Sequence, residues 1–116
     1  ALKTYGTTVN STGNSTVTIS SSVIQHTEEI TFTGSAGTRI IAIVFSYPYA
    51  GMVGAHAHFK YLLPATAGIV IELRNGNVSG DLIDTLTTDA SGDDALIVAE
   101  FDGVNWQLLS AQYPSN

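Results

Sequence analysis

Nowhere along this chain do apolar residues recur at the i, i+3, i+4, i+7 spacing of an amphipathic helix. Short runs of β-branched and apolar residues recur instead, each cut off by Gly, Asn, Asp or Pro. Alternation is visible in Thr16-Val17-Thr18-Ile19-Ser20 and in Glu29-Ile30-Thr31-Phe32-Thr33. Residues 38–46 form a continuous apolar stretch of the kind buried on both faces. Residues 55–62 alternate again up to Pro64. Residues 68–73 are apolar and close at Asn75-Gly76-Asn77. A short run over 81–86 follows, then 95–101, and Asp102-Gly103 turns the chain into 104–110. An Asp-Gly pair between two apolar runs is a strong hairpin signal. Runs spaced by roughly 8–12 residues predict an all-β fold, an antiparallel β-sandwich or jelly-roll-like barrel. Its core is expected from residues 40–45, 69–73, 96–101 and Trp106. No internal repeat that would indicate a solenoid is found.

At 116 residues there is room for one core. Residues 1–22 are rich in Thr, Ser and Asn and read as a polar extended arm or thin linker strands; residues 23–116 read as a single sandwich domain. Charged residues make up 12% of the chain, about half the usual share, while the apolar fraction of 44% rules out the composition of a disordered segment. Ten acids against four bases give a net charge of −6. Lys3, Arg39, Lys60 and Arg74 are scattered, so a phosphate-binding face is not expected and nucleic acid is excluded as a partner. The longest apolar run falls far short of the roughly 20 residues of a membrane helix, so no membrane insertion is expected. With no cysteine, disulfides and thiolate-ligated zinc are ruled out.

The stretch Gly92-Asp93-Asp94-Ala95-Leu96-Ile97-Val98, followed by Phe101-Asp102-Gly103-Val104-Asn105-Trp106, resembles the ending of small β-domains in phage tail spikes and tail fibres. Upstream, Ile30-Thr31-Phe32-Thr33-Gly34 and Gly37-Thr38-Arg39-Ile40-Ile41 resemble the paired strands such domains place early. The resemblance spans about residues 23–114 in pattern. It implies a C-terminal virion domain, outside the cell, that forms a homotrimer and contacts host-surface glycans without catalysing a reaction. The glycan-cleaving site of those proteins lies in an upstream β-helix and is not carried over. The alternative from a different class is a carbohydrate-binding or accessory module of a secreted polysaccharide-degrading enzyme.

Chemistry-bearing residues are few. His56 and His58 stand two apart, which on a strand puts both imidazoles and Lys60 on one face and Phe59 and Tyr61 on the other. That spacing suits a metal, but Leu62 and Leu63 occupy the positions where a cupin-type site needs a Glu, and no His follows. Across a threefold axis the pair would supply six nitrogens, with three Lys60 ammonium groups close by. Asp81, Asp84, Asp89, Asp93 and Asp94 present oxygens that could serve Ca²⁺ or paired-carboxylate hydrolysis, although Asp beside Gly80 and Gly92 is ordinary turn chemistry. Tyr47, Tyr49 and Trp106 are the aromatic candidates for stacking on sugar rings. Tyr47 and Tyr49 sit in a Pro/Gly loop, whereas Trp106 alternates with Val104 and Leu108 and is expected in the core. A nucleophile elbow, a phosphate loop and a His-Glu-x-x-His motif are all missing, so no catalytic residue and no cofactor are assigned.

Overall fold

The computed structural model describes residues 4–11, 15–20, 27–44, 53–92 and 94–112. They form nine strands: β1 (Thr4–Ser11), β2 (Ser15–Ser20), β3 (Thr27–Gly34), β4 (Gly37–Val44), β5 (His56–Leu62), β6 (Ile69–Asn75), β7 (Leu82–Thr87), β8 (Ala95–Phe101) and β9 (Trp106–Gln112). Two sheets result, ordered β1-β3-β5-β8-β9 and β2-β4-β6-β7. The all-β, two-layer sandwich-like architecture is as the sequence predicts.

The strand pairing is mixed rather than wholly antiparallel. β1, β3 and β5 run parallel in one sheet, and β2, β4 and β6 run parallel in the other. Neighbouring parallel strands need a long crossover, normally a helix. Here the crossover is a strand of the opposite sheet, so the first six strands are three coils stacked on one another. Thr4 pairs with Thr27, 23 residues on, and Ser15 pairs with Arg39, 24 residues on. In the next coil the steps grow to 31 for Thr27 to His58 and 32 for Gly37 to Ile69. Because the step changes, and matched positions share burial rather than identity, the repeat leaves no period in the residue string. The expected antiparallel hairpins appear where the turn signals lie, β6–β7 and β8–β9, and these strands close one end of the stack.

Inward positions alternate along β3, β5, β6 and β8. Ile30 and Phe32 of β3, Phe59 and Tyr61 of β5, and Ala95, Ile97, Ala99 and Phe101 of β8 face Ile41 and Ile43 of β4 and Ile69, Ile71 and Leu73 of β6. Lateral registers turn these into columns such as Val17–Ile41–Leu73 and Ile30–Tyr61–Ala95. Phe32 and Tyr61 meet edge to face, centroids 5.3 Å apart at 82°. β4 departs from alternation at Ile41, Ala42 and Ile43, all buried, while Thr38 and Ile40 are partly exposed, so burial on both faces holds for only part of the strand described. Glu28, Arg39 and Thr88 are the buried polar residues among the described ones. Arg39 is 1% exposed and donates from Nη1 to the Gly37 carbonyl (3.0 Å) and from Nη2 to the Thr33 carbonyl (2.9 Å), clasping the β3–β4 turn.

The polar segment read as an arm supplies β1 and β2 to the sheets of its own chain, where they are the outer strands, and Val9 enters the core at 3% exposure. Truncating a central column should therefore hurt far more than trimming an edge. Ile71→Ala is expected to lower unfolding free energy by about 2–5 kcal/mol, and Leu109→Ser by less than about 0.5 kcal/mol, measured by urea denaturation.

Candidate functional site

A concave feature lies at the capped end of the stack. β7 and β9 are edge strands of different sheets, and between them lies a cleft of about 280 Å³. Its polar wall is Asn75, Asp81, Asn105 and Gln107; its apolar wall is Leu82, Ile83, Leu108 and Trp106.

Two local structures fix this cleft. Asn75, the last residue of β6, lends its side-chain amide to the other sheet: the Trp106 N–H donates to Oδ1 (2.6 Å), and Nδ2 donates to the Trp106 carbonyl (2.9 Å). The pair of bonds does for two sheets what a ladder does within one. The backbone around Asn75 is held as well, its N–H donating to the Asp81 carbonyl (2.9 Å) while the Gly76 N–H donates to the Ile43 carbonyl (2.7 Å). Gly80 must be glycine here, since a Cβ at that position would fall 1.7 Å from the Asn75 carbonyl oxygen. Arg74 completes the loop, donating to the Gly80 carbonyl (2.8 Å) while pairing with Glu72 (3.0 Å).

The second structure is the β8–β9 turn. Asp102 Oδ1 accepts from the N–H groups of Asn105 and Val104, both at 2.8 Å, and Oδ2 accepts from Gln107 Nε2 (2.9 Å). The bonds from Asn105, Val104 and Gln107 hold the Asp102 carboxyl below the usual carboxylate range. This Asp-Gly turn, with Gly103 at φ 108°, orients two of the polar lining residues.

The residues singled out from sequence are dispersed. Trp106 is 2% exposed and packs on Phe101 (5.6 Å, 48°), so its ring belongs to the core and its face offers no sugar platform. Tyr47 and Tyr49 lie outside the described residues, as does Asp93. His56, His58 and Lys60 share the outer face of the first sheet, with Phe59 and Tyr61 buried beneath, as strand alternation requires. His56 Nε2 is 3.0 Å from Glu100 Oε2, and the two imidazole centroids are 5.8 Å apart. Among the described residues no group of three or more His, Asp or Glu side chains is placed to hold a metal ion. Asp81 reaches the cleft, while Asp89 turns its own loop by accepting from the Ser91 N–H (2.8 Å).

Asn75, Asn105 and Gln107 were not legible as site residues. Asn75 reads locally as a turn residue, and its partner is 31 positions away. Comparisons with protein-family models, curated proteins and solved structures find no match to this chain.

Two outcomes follow. Asn75→Ala removes both bonds to Trp106 and is expected to cost about 1–3 kcal/mol in urea denaturation, with Gly80→Ala destabilising through the same loop. Asp102 has its folded pKa depressed, so its contribution is present above the unfolded value, about 3.9, and is lost as pH falls through the folded one. Asp102→Asn keeps an Oδ1 acceptor but does not titrate. Its stability deficit relative to the parent, followed by thermal melting, should therefore be largest near neutrality and shrink below about pH 4.

Proposed function

We propose that this chain is a non-enzymatic domain of a phage tail spike or tail fibre, serving trimer assembly and contact with a host-surface glycan outside the cell. The observation that carries this reading is the cleft at the capped end of the coil stack, rigidly walled and lined by both hydrogen-bonding and apolar groups. Recognition sites that hold a ligand without transforming it need this combination of concavity, convergent polar groups and apolar surface. The Gly-Asp … Asp-Gly-x-Asn-Trp ending that underlies the resemblance builds part of that cleft, through the Asp102 turn and the backbone of Trp106.

Assembly draws on other features. Outside the cleft, Leu96, Val104 and Leu109 are 46%, 80% and 51% exposed, an unusual outlay of apolar surface for a chain with so few charges. The β9 edge, Trp-Gln-Leu-Leu-Ser-Ala-Gln, has no charged or proline residue to discourage pairing between copies. Cyclic symmetry would let three copies cover these surfaces without open-ended growth.

Light scattering at tens of micromolar should give the mass of three chains. A monomer mass removes the trimer from the reading. Incubation with bacterial capsular polysaccharide should release no new reducing ends; cleavage would defeat the non-enzymatic assignment and favour a module of a secreted polysaccharide-degrading enzyme.

A further inference from the structure

We propose that the cleft between β7 and β9 holds a single neutral sugar ring. In this arrangement the Asp81 carboxylate accepts hydrogen bonds from two adjacent hydroxyls, and Asn105 and Gln107 bond the remaining ring substituents. Leu82 and Leu108 cover an apolar C–H face. The inference rests on the glycan-contact reading and gives that contact a place and a ligand chemistry.

Size comes first. At about 280 Å³ the cleft lies just under the lower bound of roughly 300 Å³ for sites that enclose drug-sized molecules, which suits one ring and not a buried chain. An open mouth between two sheet edges would leave the rest of a polysaccharide running past in solvent.

Chemistry comes second. Among the described residues of the lining Asp81 is the sole ionisable side chain, and it is exposed. A carboxylate is an acceptor only, suited to a pair of vicinal hydroxyl donors, whereas the amides of Asn105 and Gln107 each offer both donors and acceptors. Gln107 already commits one Nε2 hydrogen to Asp102, which leaves its second N–H and its amide oxygen to offer. Leu82 and Leu108 are 48% and 42% exposed beside these groups, apolar surface that a sugar's C–H face would remove from water. With one acid and no base in the lining, and a net charge of −6 on the chain, uronic and sulfated sugars are disfavoured.

Rigidity comes third. The Asn75–Trp106 pair of bonds and the Asp102 turn hold the backbone on both sides of the cleft, and Gln107 is tied to Asp102, so the main chain that presents the lining is set before binding.

The test is a ¹⁵N–¹H NMR titration of the intact chain with methyl glucopyranoside, methyl galactopyranoside and methyl mannopyranoside, and with glucuronate as the acidic arm. At least one neutral glycoside is expected to shift the amides of Leu82, Asn105 and Gln107 at millimolar concentration, with glucuronate weaker. Asp81→Ala should weaken binding about tenfold or more. Asn105→Ala, a second exposed position, should weaken it with the amide spectrum otherwise unchanged. Shifts that map elsewhere, tighter binding of glucuronate, or affinity untouched by both variants would overturn the proposal. A parallel pull-down on bacterial surface polysaccharide separates the two readings. Retention that survives both substitutions overturns the cleft and keeps the host contact; no retention and no glycoside shifts overturn both.

Discussion

Parallel pairing imposes a geometric debt on a chain: the end of one strand lies at the far side of the sheet from the start of its neighbour, and something must carry the backbone home. Most folds use a helix for the return. This chain uses a strand of the opposing sheet, and nearly every other property follows from that choice. Each return strand buries its own apolar face against the strand that preceded it, so the crossover is itself core. Columns such as Val17–Ile41–Leu73 then stack automatically, because holding the lateral register in one sheet fixes the coil that feeds the other.

A stack of parallel coils has to end, and its terminal strands must be kept from pairing indiscriminately. At one end the chain changes direction: β7 folds back on β6, β8 on β5, and β9 on β8, each antiparallel. The two sheets finish with different edges, and Asn75 ties one to the other with a single side-chain amide. The cleft is what remains between edges joined at one point. Site and cap are thus one piece of construction, which is why turn residues such as Asp102 and Gly80 shape the lining.

The strands themselves were legible because burial alternates along them, and the hairpins because Asn75-Gly76-Asn77 and Asp102-Gly103 announce tight turns locally. Parallel pairing was not, since period-two alternation is the same whichever way the neighbour runs. The coil repeat was hidden for a related reason: Ile30 stacks on Tyr61 and Arg39 on Ser15, so the repeat conserves position in the layer and nothing in the letters. Aromatic and histidine residues drew attention as site candidates because their chemistry is conspicuous. Trp106 proved to be core, and the amides that line the cleft are ordinary Asn and Gln, placed by contacts 31 residues apart.

The lengthening of the second step, from 23 to 31 residues between paired positions, happens without any loss of register in the sheets. Most of the extra residues enter one connection: six residues separate β2, ending at Ser20, from β3, beginning at Thr27, whereas eleven separate β4, ending at Val44, from β5, beginning at His56. Closing a longer loop costs slowly, about 0.6 kcal/mol for each doubling of its length. The ladder thus accommodates two different chain lengths per coil, since its register is set within the strands and is kept at a step of 23 residues and at one of 31.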